Sequence, residues 1–175
     1  GKTETALTCA EIFAQKTGRG GVCVALPTMA TTNAMFSRTR RWIDKLDEDE
    51  RYGRRQKTIY LSHSKSSLNE EYTRIVKQSY YASTVNKHGQ WQDSIGIDRD
   101  KKQEADKVLV SDWFWGRKRG ALVNFLVCTV DQMLMAALKM KHVVLRQLGI
   151  ANKVVIIDEC HAYDAYMQKY LCRVL

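Results

Sequence analysis

Four consecutive β-branched residues, Val154, Val155, Ile156 and Ile157, run directly into Asp158, Glu159, Cys160 and His161. A continuous apolar run of this kind predicts a strand buried on both faces, as in a parallel sheet. Parallel sheets bind ligands at the carboxyl ends of their strands, and here two acids and a histidine stand at that end. In a nucleotide-hydrolysing reading, Asp158 helps hold Mg²⁺, Glu159 orients and deprotonates the attacking water, and His161 senses the γ-phosphate. Such chemistry needs hard oxygen ligands and a placed nucleophile.

The chain opens on Gly1, Lys2 and Thr3, the last three residues of the pattern GxxxxGK[ST]. That loop cradles phosphates with its backbone N–H groups. Ala6, Leu7, Ala10, Ile12 and Phe13 follow at helical spacing, and Gly18, Gly20 and Gly21 end the pattern. A loop entering a helix N-terminus is an anion-binding arrangement. Lys2 is expected on the β- and γ-phosphates of ATP, and the Thr3 hydroxyl on Mg²⁺. The first part of the loop precedes Gly1, and the final helix is still apolar at Leu175, so both ends read as cut.

Between these two stretches, strand and helix patterns alternate, which predicts an α/β fold with a parallel sheet flanked by helices. Residues 22–26 form an apolar run stopped by Pro27. Pro27 and Thr28 then open a helix with Ala30, Ala34, Phe36 and Ile43 on its apolar side. Its polar side carries Thr31, Thr32, Asn33, Arg38, Arg40 and Arg41. These groups can bond a phosphate backbone, although the same spacing fits a solvated basic face. Residues 58–61 predict a third strand and residues 125–130 a fourth, the latter ending at Thr129, Asp131 and Gln132. Helices are expected over 133–140 and 142–148, the second closed by Gly149, and over 163–175. Residues 62–107 read as a polar insertion of helix and loop, in which His63 and His88 lack a ligand-spaced partner.

The formal net charge of +9 favours an anionic partner, nucleic acid before a membrane surface. Residues 112–119 join Trp113, Phe114 and Trp115 to Arg117, Lys118 and Arg119, a mixture that suits stacked bases and paired phosphates. It also fits a helix with core aromatics and solvated charges. No apolar run approaches the ~20 residues of a membrane span. The five cysteines lack zinc-ligand spacing and read as reduced core thiols of a cytosolic protein.

The order of these signals is that of the first motor domain of a superfamily 2 helicase. LPTMATTNAMFSR, WFWGRKRGAL, CTVDQML and KHVVLRQLGIANKVVIIDECHAYDAYM resemble the CRISPR-associated helicase-nuclease of type I systems. The HAYD continuation after DExH and the KHxxLRxxG run before it are specific to that family. Cys128 and Cys160 depart from the family's usual glycine and its valine or alanine. The resemblance implies a RecA-like domain over 1–175 that drives translocation on single-stranded DNA with ATP and Mg²⁺. It also implies recruitment to an RNA-guided CRISPR surveillance complex, with a separate HD nuclease domain and a second motor domain that supplies an arginine finger. By the same resemblance, Gly1, Lys2 and Thr3 bind nucleotide, Thr3 and Asp158 hold the metal, and Asp158 and Glu159 carry hydrolysis. His161 couples the two motor domains, and Pro27, Thr28, Thr32, Thr129, Asp131 and Gln132 lie on turns facing the DNA. A DExH RNA helicase and a non-catalytic nucleic-acid-binding module are the rival expectations.

Overall fold

The computed structural model describes residues 1–47, 57–88, 108–109, 122–138 and 143–174. Five strands form one parallel sheet: β1 (Val22–Leu26), β2 (Lys57–Ser62), β3 (Val108–Leu109), β4 (Phe125–Thr129) and β5 (Val154–Ile157). Their spatial order is β3-β2-β4-β1-β5. Val22 pairs with Phe125 on one side and Val154 on the other, and Leu26 pairs with Thr129. Ser62 reaches the level of Cys128. The strand ends that carry Pro27, His63, Val130 and Asp158 therefore share one edge.

Among the described residues the α-helices are α1 (Lys2–Thr17), α2 (Met29–Asp47), α3 (Glu70–His88), α4 (Val130–Leu134), α5 (Val143–Ala151) and α6 (Ala165–Val174). Side chains alternate across each strand, so each strand feeds two cores. Val22, Val24, Leu26, Ile59, Leu61, Phe125 and Val127 pack with Leu7, Phe36, Ile43 and Tyr72 of the first three helices. Phe36 and Tyr60 each meet Tyr72 edge to face, at 5.6 and 5.9 Å. On the opposite face, Cys23, Ala25, Leu126 and Cys128 pack with Val130, Met133, Tyr163, Met167 and Leu171. Fully burying side chains such as Phe36 and Ile43 contributes about 1.5–3 kcal/mol each.

The amino edge of the sheet is held by Asn124. Its Nδ2 donates to Gly20 O at 2.9 Å, its Oδ1 accepts from Thr58 Oγ1 at 3.0 Å, and its carbonyl accepts from Val22 N at 2.8 Å. Gly21 passes so close that a Cβ there would stand 2.0 Å from Asn124 O. Gly18 ends α1 at φ 68°, the left-handed closure expected of it.

Several sequence expectations are corrected. Among the described residues β5 stands at the end of the sheet, and its four residues are half-buried, not enclosed on both faces. Ile12 and Phe13 are 45% and 58% exposed, leaving Leu7 and Ala10 as the fully buried residues of α1. Ala30 and Ala34 are exposed, while Met35 joins Phe36 and Ile43 inside. The helix expected from 133 begins at Val130, because the chain turns as soon as β4 ends. Gly149 lies buried within α5 and does not close it; its carbonyl accepts a hydrogen bond from Lys153 Nζ. The last helix begins at Ala165, after a short 3₁₀ turn over Cys160–Ala162. Cys9, Cys160 and Cys172 are exposed, so the reading of all five thiols as core residues fails. Cys23 and Cys128 are buried with their sulfurs 3.9 Å apart, and contact with Cys23 and burial push the Cys128 thiol up. Among the described residues no helix is long and apolar enough to cross a membrane.

Candidate nucleotide site

Gly1 caps α1, and its carbonyl accepts from Thr5 N at 3.1 Å. This sets Lys2 and Thr3 in the first turn, where helical N–H groups lack partners within the helix and the dipole favours an anion. Lys2 Nζ reaches 3.3 Å from Asp158 Oδ1 and 3.0 Å from Glu159 Oε1. Its pKa is raised, chiefly by hydrogen bonds to Glu159 and then Asp158. Lys2 is well exposed, so water screens these pairs and they add little to stability. Their value is positional, since they bring the opening loop and the acids after β5 together.

Asp158 is fixed from three sides. Its N–H donates to Ala25 O at 3.0 Å, its carbonyl accepts from Tyr163 Oη at 2.9 Å, and its Oδ1 accepts from Glu159 N at 3.0 Å. Glu159 has φ 53° and ψ 42°, the one non-glycine residue with positive φ among those described. That conformation is disfavoured for a residue with a Cβ and turns the chain sharply off the strand. Glu159 Oε2 lies 3.2 Å from His161 Nδ1, while Oε1 faces Lys2. The carboxylate is thus held between two groups at its two oxygens.

Tyr163 is buried, and burial is the first cause that pushes its hydroxyl up to about 12. It therefore stays a donor to Asp158. Asp164 caps α6, its Oδ1 accepting from Met167 N at 2.7 Å. Neither role was foreseen. An Asp just before a helical apolar pattern is an N-cap signal that was available in the sequence.

Thr3 Oγ1 accepts from Arg38 Nη1 at 3.0 Å. Arg38 was expected on a nucleic-acid face, and here it meets the opening loop. Among the described residues no three His, Cys, Asp or Glu side chains gather into a metal cluster. A hydroxyl at Thr3 and a carboxylate at Asp158 still suit Mg²⁺, which takes one or two protein oxygens and fills its shell with water and phosphate.

The turns at the same edge divide. Thr28 is exposed and caps α2, its Oγ1 accepting from Thr31 N at 3.2 Å. Pro27 is half-buried beside it, and Asp131 is exposed. Gln132 is half-buried, with Arg146 Nη1 3.4 Å from both its carbonyl and its side-chain oxygen. Thr32 and Thr129, expected to face DNA, are 0% and 5% exposed. Thr32 sits one turn into α2, points into the core and donates its hydroxyl to Thr28 O at 2.6 Å. Thr129 closes a strand buried throughout. Arg117, Lys118 and Arg119 lie outside the described residues.

His63 is buried beside this edge. Its Nε2 is 2.9 Å from Asn33 Oδ1, and its Nδ1 accepts from Lys65 N at 3.2 Å. Asn33 Oδ1 also accepts from Asn69 Nδ2 at 2.9 Å, so it is an acceptor for Nε2–H. His63 is thus a satisfied core histidine.

No family model matches the chain. The CRISPR-associated nuclease/helicase Cas3 of Streptococcus thermophilus is 40% identical to it over 177 residues. The CRISPR-associated endonuclease/helicase Cas3 proteins of Thermus thermophilus and Escherichia coli are 33% and 34% identical. Each alignment takes in all of this chain and 17% of the relative, so the chain spans about a sixth of their length. The crystal structure of T. fusca Cas3 superposes with a TM-score of 0.71 at 35% identity, over 99% of this chain and 17% of that one. The T. fusca Cas3-ATP structure gives 0.70 at 34%, over 99% and 16%. Similarity along the whole chain, in sequence and in fold, places it in the Cas3 family, as a segment of the Cas3 helicase.

Proposed function

We propose that residues 1–175 are the first RecA-like motor domain of a Cas3-type helicase, which hydrolyses ATP to move along single-stranded DNA. The observation that carries this reading is the meeting of Lys2 with Asp158 and Glu159 at 3.3 and 3.0 Å. A loop lysine, a strand-end acid and a second acid are what phosphoryl transfer to water requires in one place. The T. fusca Cas3 structures with ADP, AMPPNP and ATP support the choice of ligand.

In this site Lys2 binds the β- and γ-phosphates, and the α1 N–H groups add further donors. Thr3 Oγ1 and an Asp158 carboxylate oxygen are the protein ligands for Mg²⁺, which when bound neutralises phosphate charge. Glu159 orients the attacking water and takes its proton at a carboxylate oxygen. His161 Nδ1 steadies that carboxylate and links the site to the second motor domain. Tyr163 and the Ala25 carbonyl keep Asp158 in place. Pro27, Thr28, Asp131 and Gln132 face the DNA from the carboxyl edge, with Arg117, Lys118 and Arg119 as further phosphate contacts. The strand is handed to an HD nuclease domain at a target marked by an RNA-guided surveillance complex.

The test is Glu159→Gln in the full-length protein. A general base contributes ~10²–10⁴-fold, so DNA-stimulated ATP turnover should fall by about that factor while ATP still binds. Near-normal turnover would remove Glu159 from its role. Stimulation by single-stranded RNA but not DNA would point to an RNA helicase.

A further inference from the structure

Three arginines close together on α2 go to three different places. Arg40 Nη1 pairs with Glu71 of α3 at 3.1 Å. Arg41 Nε turns back to Ser37 O in its own helix at 3.3 Å. Arg38 Nη1 crosses to another element and donates to Thr3 Oγ1 at 3.0 Å. The neighbouring residue, Lys2, already has its charge set against Asp158 and Glu159. Two cations are therefore engaged at adjacent residues of the first turn of α1: Lys2 is carried by α1 itself, and Arg38 is brought to Thr3 by α2.

The two are engaged differently. Lys2 is bonded to two carboxylates, whereas Arg38 bonds a neutral hydroxyl and has the Glu4 carboxylate in its neighbourhood. A guanidinium presents five N–H donors in one plane, and this bond uses one of them. A phosphate bound at the first turn of α1 would meet the remaining donors of this exposed side chain. Planar guanidinium donors suit phosphate oxygens in particular.

We infer that Arg38 belongs to the nucleotide site, as a second cation facing the phosphate groups, and not to the nucleic-acid surface. The inference rests on the nucleotide reading of Lys2 and Thr3. It also gives α2 two duties, because its N-terminus carries the Thr28 turn proposed to face DNA.

The experiment measures two affinities in the full-length protein: for a fluorescent ATP analogue with Mg²⁺, and for a labelled single-stranded oligonucleotide without nucleotide. In Arg38→Ala the nucleotide affinity should fall about tenfold or more, as for loss of a charge-assisted bond, with oligonucleotide affinity kept within about twofold. Arg38→Lys keeps the charge but loses the fork, and should fall between wild type and Arg38→Ala. It decides the matter if the alanine variant fails to fold, as judged by its circular-dichroism melting curve. Unchanged nucleotide affinity, or a loss no larger than that for the oligonucleotide, overturns the inference and returns Arg38 to the DNA face. Failure of the wild type to bind the analogue would sink the nucleotide reading itself, and shows before any variant is made.

Discussion

Lys2 and Glu159 are 157 positions apart in the chain, and Lys2 Nζ lies 3.0 Å from Glu159 Oε1. The parallel sheet makes this possible. Every strand delivers its carboxyl end to one edge, and α1 runs so that its first turn reaches that edge. Lys2→Met keeps the stem and removes the ammonium. Removing one preorganised electrostatic group costs about 10²–10³ in rate. ATP turnover in the full-length protein should fall by that order, measured by phosphate release. A loss of threefold or less would show that Lys2 does not meet the phosphates.

Tyr163→Phe removes only the hydroxyl that holds the Asp158 carbonyl at 2.9 Å. Because Tyr163 is buried, the unpaired carbonyl should cost about 1 kcal/mol of stability. Turnover should drop with little change in nucleotide affinity, since Tyr163 touches Asp158 through the backbone. Steady-state kinetics beside a melting curve checks both parts.

Thr32→Val tests the placement of Thr32 in the core. The variant matches the shape and deletes a hydroxyl that donates to the carbonyl of Thr28, the residue capping α2. Affinity for single-stranded DNA should stay within about twofold, with a stability cost of about 1 kcal/mol. A large loss of DNA affinity at unchanged stability would put Thr32 back on the binding face.

His63 supplies a pH dependence. Burial lowers its pKa below the ordinary 6.5. The unfolded chain then takes up the proton first, so stability is lost as pH falls from the unfolded value toward the folded one. Above about pH 6.5 the contribution is complete. Protonation would also set an Nδ1–H against the Lys65 N–H that now donates to it. His63→Gln should flatten the decline in melting temperature between about pH 7.5 and 5.5. An equally steep decline in the variant would assign the effect to other groups.

Asn124→Ala should loosen the amino edge, where its side chain ties Gly20 and Thr58. Two lost bonds predict a cost of about 2 kcal/mol. Gly21→Ala should be worse, because its Cβ would meet backbone and not a movable side chain. Comparing the soluble yield and melting temperature of the two variants tests that order.

Four of the five described strands were legible from their apolar and β-branched residues, β1 and β4 most plainly because the sheet buries every residue of both. The fifth, Val108–Leu109, is too short to leave a pattern. The acids after Ile157 and the lysine after Gly1 were legible because residue type and spacing state their chemistry. The partners of Thr32 and Arg38 were hidden for one reason. A helix with apolar and polar residues interleaved leaves its facing open, and only packing decides that Thr32 turns inward while Arg38 reaches Thr3. Gly149 misled because glycine is common after helices, yet here it lies buried within one. The turn at Glu159 left no trace in the sequence, as glutamate is an unusual choice for a left-handed position.

That turn sets the stability of the chain against its chemistry. Holding a side-chain-bearing residue at φ 53° costs about 1–2 kcal/mol. Glycine would relieve it and asparagine would lessen it, and either would remove the carboxylate that faces Lys2. Directed evolution toward thermal resistance alone would therefore drift away from glutamate at position 159, and every gain there would remove the carboxylate proposed as the base.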